Sequence, residues 1–369
     1  MDKIKITFVG DIFPGGVLVN QEKICDDKVM DVLMSSDLRV ATLECALGPG
    51  ETGGYSFDEE KMARPDWRNI IWAPDECVER LKELHIDVVT IANNHIFDLG
   101  EKGLINTIRL LDENGIKHCG AGANIDEASK PAVVELRGKK IAFLGYMPFW
   151  WEAPHPPTAN RPGINHLYIE NVEDDVKKCK LLYDYVFVLP HWGIEHTHYP
   201  SNRERDFALR IIKAGADGII GSHTHMVQPL VKFDGKPVSF SLGNFLFPDY
   251  YIAENRPVYY PSSAEIEAIP SVLGYPKNPG KKLKSVWRDK NRVGAICQVI
   301  ITNKIEASLL LTRMNDNCVT CLGDKKRFNV QLLFISKLLR LPTYKLFMTA
   351  RYKILKVGRL IMRSKYNNI

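Results

Sequence analysis

Apolar positions along the chain fall into two rhythms. Runs at residues 4–9, 38–43, 87–92, 185–189 and 216–220 are short and mostly apolar, and each reads as a strand. Between them the apolar spacing is helical. Cys77, Val78, Leu81 and Leu84 share one face over 75–84, with Pro74 suited to the first turn. Leu104, Ile105, Ile108 and Leu111 do so over 101–114, which Gly115 stops. Further helices are expected at 29–34 and 202–214. The second half adds hairpins: 132–136 with 140–145 through Arg137-Gly138-Lys139, and 227–233 with 237–241 around Asp234-Gly235. A closing strand pair, 293–302 and 305–312, turns at Asn303-Lys304. Residues 48–71, 146–166 and 249–291 show no period and read as loops. The second is rich in Pro, Trp and His and is expected at the surface, where it could overhang a site; the third is long for a loop in a compact domain. Alternating strands and helices with added hairpins predict an α/β domain over residues 1–312 whose sheets are not purely parallel, followed by a tail at 313–369.

Charge changes the picture at that tail. The 369 residues carry a net charge of +5, but no acidic residue follows Asp324. Twelve of the 49 basic residues lie beyond it, which leaves 37 against 44 acidic ones in the body, a balance of −7. Within 328–362, apolar residues such as Val330, Leu333, Leu338, Leu346 and Ile354 alternate with Lys and Arg, and Pro342 separates two predicted helices. Basic amphipathic helices suit an anionic membrane surface. They equally suit packing on the acidic body or on another subunit, and periodicity does not choose between these. No nucleic-acid-binding module accompanies the charge, so nucleic acid is not an expected partner.

Eight irregularly spaced cysteines do not resemble a disulfide framework, and reduced thiols in a cytosolic setting are expected. The single pair Cys318 and Cys321 reads as structural. Met1-Asp2-Lys3 leads directly into the first strand, with no separate apolar segment or cleavage site, so no secretory signal is expected. No run of eighteen apolar residues is present, so no spanning helix is expected either. A cytoplasmic protein, peripheral at most on the inner membrane face, is the resulting expectation.

The chemistry gathers where predicted strands end. Asp11, Glu44, Asn94, His95, His191, His223 and His225 each lie just past one. Singly, each reads as well as a polar rim or turn residue. His223 and His225, two apart on an extended chain, should point to the same side. If the sheets place all these ends on one rim, the residues converge. Mixed oxygen and imidazole donors suit Mn, Zn or Fe, and their number exceeds what one tetrahedral ion needs, so two divalent ions are expected. His155 and His166, in the loop, read as loop residues.

Taken in order, Gly10-Asp11, Leu43-Glu44, Asn93-Asn94-His95 with Asp98, His191-Trp192-Gly193 with Glu195, Gly221-Ser222-His223-Thr224-His225 and Gly243-Asn244-Phe245 resemble the motif series of the CapA family. That family is associated with poly-γ-glutamate capsule synthesis and belongs with the calcineurin-like metallophosphoesterases. The resemblance covers about residues 3–312. It implies a four-layer α/β/β/α sandwich of the metallo-dependent phosphatase type. It also implies that Asp11 and His225 hold one metal, that Asn94, His191 and His223 hold the other, and that Glu44 bridges them. A water held by the ions would be the nucleophile. His95 would face the substrate with Asp98 fixing its tautomer, Glu195 would support a ligand or contact substrate, and Asn244 closes the series. Two positions depart from the wider superfamily: Phe13 stands where a histidine is usual, and Glu44 where aspartate is usual. The implied function is a metal-dependent hydrolase-like protein acting on an anionic polymer or phosphoester. The alternative is a non-catalytic accessory subunit of a membrane-associated polymer-synthesis complex.

Overall fold

The computed structural model describes residues 3–15, 18–19, 21–48, 71–149, 155–248, 251–253, 283–285, 289–316, 319–323 and 326–354. Its strands, in chain order, are β1 (Ile4–Ile12), β2 (Leu38–Leu43), β3 (Val88–Thr90), β4 (Lys117–Cys119), β5 (Ala132–Leu136), β6 (Lys139–Tyr146), β7 (Tyr185–Pro190), β8 (Gly218–Ile220), β9 (Leu230–Phe233), β10 (Lys236–Ser239), β11 (Asn244–Leu246), β12 (Val293–Ile301), β13 (Ile305–Met314) and β14 (Thr320–Leu322), besides shorter pairs. The helices used below are α1 (Asp27–Met34), α2 (Val78–Glu83), α3 (Gly100–Glu113), α4 (Ile169–Leu182), α5 (Asn202–Lys213), α6 (Lys326–Leu339) and α7 (residues 344–354).

Two sheets carry the fold. The first runs β14-β13-β12-β1-β2-β3-β4, with β11 also pairing β1; the second runs β9-β10-β8-β7-β6-β5. Each is mixed. β1, β2, β3 and β4 are parallel, whereas β12, β13 and β14 are antiparallel additions. In the second sheet β6, β7, β8 and β10 are parallel and two hairpins close its edges.

Side-chain alternation along the strands sorts the core into layers. Ile4, Ile6 and Phe8 of β1 meet Phe143 of β6 and Phe187 of β7 between the sheets. Phe8, Phe143 and Phe187 pack together there with centroids 5.4–6.1 Å apart, Phe143 stacked on Phe187 and Phe8 edge-on to Phe143. Such pairs contribute about 0.5–1.5 kcal/mol each beyond their burial. Val9 and Ile12 instead face Val29 and Leu33 of α1, Leu81 of α2 and Leu104 of α3. Val186 and Val188 face Val176 of α4 and Ile211 of α5. Helices, sheet, sheet, helices: the four-layer α/β/β/α sandwich holds.

Local signals explain the element ends. Asp26 caps α1, accepting from the Val29 N–H at 2.8 Å. Ser201 and Glu204 form a capping box on α5. Arg137-Gly138 (φ 51° and 70°) and Asp234-Gly235 (φ 48° and 75°) turn the two hairpins with the paired positive φ that tight strand connections need.

Several expectations change. The closing strands do not stop at residue 312: β13 runs to Met314, and β14, which carries Cys321, joins it as the sheet edge. Residues 146–166 are not simply a surface loop. Met147, Ile164 and His166 are buried, Gly163–Ile164 pairs with Ala121–Gly122, and His155 stacks on Phe97 at 4.1 Å. The expected 48–71 loop is flanked by a short strand pair, Ala46–Gly48 with Trp72–Pro74, and within 249–291 Tyr251–Ala253 pairs with Leu283–Ser285, whereas 49–70, 249–250, 254–282 and 286–288 lie outside the described residues. The seven described cysteines are unpaired, and Cys318 lies outside them. Among the described residues no helix is long and apolar enough to cross a membrane.

The tail packs on the body. Leu332, Ile335 and Leu339 of α6 are buried, Arg205 Nε donates to the Leu339 carbonyl at 2.9 Å, and the Tyr344 hydroxyl donates to the Pro200 carbonyl at 2.5 Å. Burying each aliphatic side chain contributes about 1.5–3 kcal/mol, enough to hold the helix against the sandwich. Pro342 falls in the turn between α6 and α7; residues 355–369 lie outside the described set.

Candidate metal centre

The C-terminal ends of β1, β2, β3, β7 and β8 share one rim of the two sheets. Backbone hydrogen bonds weld that rim together. The Asp11 N–H donates to the Gly243 carbonyl at 2.9 Å, the Glu44 N–H to Ile12 at 2.8 Å, and the His191 N–H to Tyr146 at 2.8 Å. Gly10 is required here: a Cβ would lie 1.9 Å from the Gly243 carbonyl oxygen. Asn93 ties the third strand end to the second, its side chain donating to the Leu43 carbonyl at 2.7 Å and accepting from the His95 N–H at 3.0 Å.

Two donor sets form on this rim, each with its atoms within 4.8 Å of one another: Glu44, His191 and His223 in one, and Asp11, Glu44 and His225 in the other. Glu44 Oε1 lies 3.5 Å from His191 Nε2 and 3.6 Å from His225 Nε2, between the two. Asn94 Oδ1 lies 2.9 Å from His191 Nε2 and so belongs beside the first set. His225 Nδ1 is 3.8 Å from Asp11 Oδ2, which also accepts from the His223 N–H at 3.2 Å.

His223 and His225 do not converge by strand alternation. Both have positive φ, 90° and 51°, in a bent segment. A non-glycine residue held there costs about 1–3 kcal/mol. The local chain bends and brings the two rings, 6.2 Å apart, into different donor sets that share Glu44.

The electrostatics are unusual for a buried site. Asp11 and Glu44 are fully buried, and Asp11 Oδ1 and both Glu44 oxygens have no hydrogen-bond partner. Burial pushes the Asp11 carboxyl up to about 7. Burial, and then the neighbouring Asp11 charge, push Glu44 well above the usual carboxylate range. Burial and the neighbouring imidazoles lower His223 to about 3, and hold His191 and His225 well below their ordinary value. These shifts favour the neutral imidazole, the form that ligates metal. A buried carboxylate without a partner costs more than the roughly 1–3 kcal/mol of a neutral unsatisfied group. A divalent cation supplies both the missing charge and the missing contacts, so the residues present fit metal binding.

The other expected residues sit around this centre. His95 Nδ1 is 2.6 Å from Asp98 Oδ2, and both side chains are buried. Asn244 Oδ1 meets His225 Nδ1 at 2.8 Å. Glu195 is exposed, 3.6 Å from His196 Nε2. His155 and His166 lie outside the donor sets. Phe13 is buried against Phe247 at 5.2 Å, and Phe247 meets the His225 ring edge-on at 5.3 Å.

Three residues escape the sequence reading. Ser222 Oγ lies 3.0 Å from His191 Nδ1 and fixes that ring; its place inside the Gly-Ser-His-Thr-His segment was the available signal. His196 stands 6.2 Å from the His225 ring. Asn291 is buried; its carbonyl accepts from Asn244 at 3.0 Å, while its side chain donates to the His225 carbonyl at 3.1 Å and meets His196 Nδ1 at 3.0 Å. Nothing local in the sequence marks it.

Comparison with known proteins bears on this centre. A family model described as "Bacterial capsule synthesis protein PGA_cap" matches residues 5–249, which include every residue of both donor sets. The chain is 27% identical over 247 residues to the PGA biosynthesis protein CapA of Bacillus subtilis, covering 67% of this chain and 64% of that one. It is 30% identical over 194 residues to the capsule biosynthesis protein CapA of Bacillus anthracis, covering 52% and 47%. It thus spans less than two thirds of the length of either relative. Among solved structures, a putative 5'-nucleotidase from Staphylococcus aureus aligns with a TM-score of 0.46 at 14% identity, over 92% of this chain and 58% of that one.

Proposed function

The chain belongs to the PGA_cap family of bacterial capsule synthesis proteins, and on that premise we propose that it is a metal-dependent hydrolase-like protein acting in the biosynthesis or release of an anionic exopolymer such as poly-γ-glutamate. The observation that carries the reading is the pair of donor sets sharing Glu44, whose carboxylate oxygens are buried without hydrogen-bond partners. Asp11 and His225 would hold one divalent ion, Asn94, His191 and His223 the other, with Glu44 common to both. Bound ions of this kind supply Lewis acidity and neutralise developing negative charge. The mixed nitrogen and oxygen donors suit Mn, Zn or Fe.

The chain's own residues do the rest. His95 hydrogen-bonds Asp98 through Nδ1, which orients the ring and leaves Nε2 to serve the substrate. An imidazole so placed donates a proton to a leaving oxygen or stabilises charge developing there. Ser222 and Asn244 hold the His191 and His225 rings by their Nδ1 atoms, leaving Nε2 of each toward Glu44. Glu195, exposed beside His196, would contact substrate or support a ligand.

A second reading rests on Phe13. A buried aromatic where the wider superfamily carries a histidine leaves one donor set short, as suits an accessory subunit that keeps the fold for binding. One relative, 31% identical over 185 residues, is a probable polyglutamine synthesis accessory protein of Mycobacterium tuberculosis. The test is hydrolysis of a chromogenic phosphodiester and of poly-γ-glutamate by protein loaded with Mn. Turnover lost in Glu44→Ala and His191→Ala supports the enzyme. Bound metal with no turnover of either substrate supports the accessory reading. Failure to bind metal removes the enzyme and leaves the accessory reading standing.

A further inference from the structure

Helix α6 is apolar on two opposite faces. Leu332, Ile335 and Leu339 point into the body. On the far side, Val330, Leu333 and Phe334 are 69%, 59% and 54% exposed, with Lys337 continuing the same stripe at helical spacing. A surface helix normally turns polar residues outward; a second, exposed apolar stripe calls for a second partner. The next helix repeats the pattern. Tyr344 is buried and Phe347 packs inward, while Leu346 and Ile354 are each 71% exposed beside exposed Lys345 and Lys353.

We propose that the outward faces of α6 and α7 form a docking surface for an anionic lipid bilayer. Charge selects this occupant. The exposed apolar residues are interleaved with Lys337, Arg340, Lys345 and Lys353, and the sequence holds no acid beyond Asp324 to neutralise them. A second copy pairing through the same face would bring like charges together. An anionic surface instead gains from every cation, and the apolar side chains reach the headgroup–acyl boundary in the manner of an interfacial helix. The docking is peripheral, since no described helix can span a bilayer. The inward faces keep the helices on the body, so binding needs no unpacking of the tail.

The experiment is co-sedimentation of the full chain with two vesicle types: pure phosphatidylcholine, and phosphatidylcholine with about one third phosphatidylglycerol. The full chain should bind the anionic vesicles only, and less as salt rises. Each Lys contributes about 1 kcal/mol near such a surface, a factor of about five. Lys337→Gln, Lys345→Gln and Lys353→Gln together should therefore weaken binding about 100-fold. Leu333→Ser with Phe334→Ser should weaken it further without changing the salt dependence. Circular dichroism and metal content unchanged in both variants assign the loss to the surface and not to unfolding. Equal binding to the two vesicle types overturns the proposal, as does insensitivity to the three Lys changes. A dimer in sedimentation velocity that the Leu333/Phe334 variant converts to monomer also overturns it, because the face then belongs to a second copy.

Discussion

The two donor sets share Glu44 but are framed differently. On one side His191, His223 and Asn94 join Glu44, four donors in all, and His191 is steadied by the hydroxyl of Ser222. On the other, among the described residues, Asp11 and His225 join it. That side is bounded by aromatic rings, Phe247 against His225 and Phe13 behind Phe247, and buttressed by the chain of Asn244 and Asn291. The first side is rich in donors. The second is poor in donors but firmly held. On the proposed two-ion reading, the difference predicts unequal affinities, with rigidity offsetting part of a missing ligand.

The strongest way to break this comparison is to remove one histidine from each side. In a calorimetric Mn titration the intact protein should bind in two steps, the tighter assigned to the His191 and His223 side. His225→Ala should remove the weaker step and leave the tighter one. His223→Ala should remove the tighter step. Each loss should exceed the roughly 10–100-fold that an outer-shell hydrogen bond is worth, because a ligand itself is gone. Equal loss of both steps in both variants would mean a single indivisible site.

A smaller effect sharpens the comparison from outside the ligands. Asn244→Ala and Asn291→Ala should each weaken only the lower-affinity step, and Ser222→Ala only the higher, by about 10–100-fold. Separate metal titrations of the three variants check this. If Ser222→Ala disturbs the weaker step as much as the tighter one, the two sides are not held independently.

These supporting residues are also where sequence reading reached its limit. Asp11, Glu44, Asn94, His191, His223 and His225 were visible because each follows a short apolar run, and parallel strands bring such ends to one rim. The two sheets, the capped helices and the Asp234-Gly235 hairpin were visible for the same reason: local periodicity and turn chemistry suffice. What was not visible depends on contacts between distant segments. Asp11 and the His223 N–H lie 212 residues apart, and the bond between them helps hold a bend that the residues of that segment do not announce. An extended chain is the simplest reading of that segment, whereas both residues have positive φ, and their rings, 6.2 Å apart, enter different donor sets that share Glu44. Asn291 acts by filling a gap among His196, His225 and Asn244, and no spacing rule marks a residue that works so. The tail is intermediate. Its amphipathic pattern was legible, but which apolar stripe meets the body follows only from the surface β9 and α5 offer it.

The smallest expected effect is also the most direct test of why the two sides differ. Phe13 lies two residues past Asp11 and one ring away from His225, within the packed cluster of Phe13 and Phe247. Phe13→His restores a nitrogen donor at that position. If donor number limits the weaker side, the second step of the Mn titration should tighten by about tenfold, or about 1.4 kcal/mol, and the first should not move. The metal-free variant should melt a few degrees lower, since an imidazole buried among aromatic rings leaves a polar atom without a partner and costs about 1–3 kcal/mol. Added Mn should recover that loss, because a ligand that binds only the folded state stabilises it. A variant that melts lower and gains no affinity would show that Phe13 serves packing alone, and that the asymmetry between the two sides arises in the Asn244 and Asn291 buttress instead.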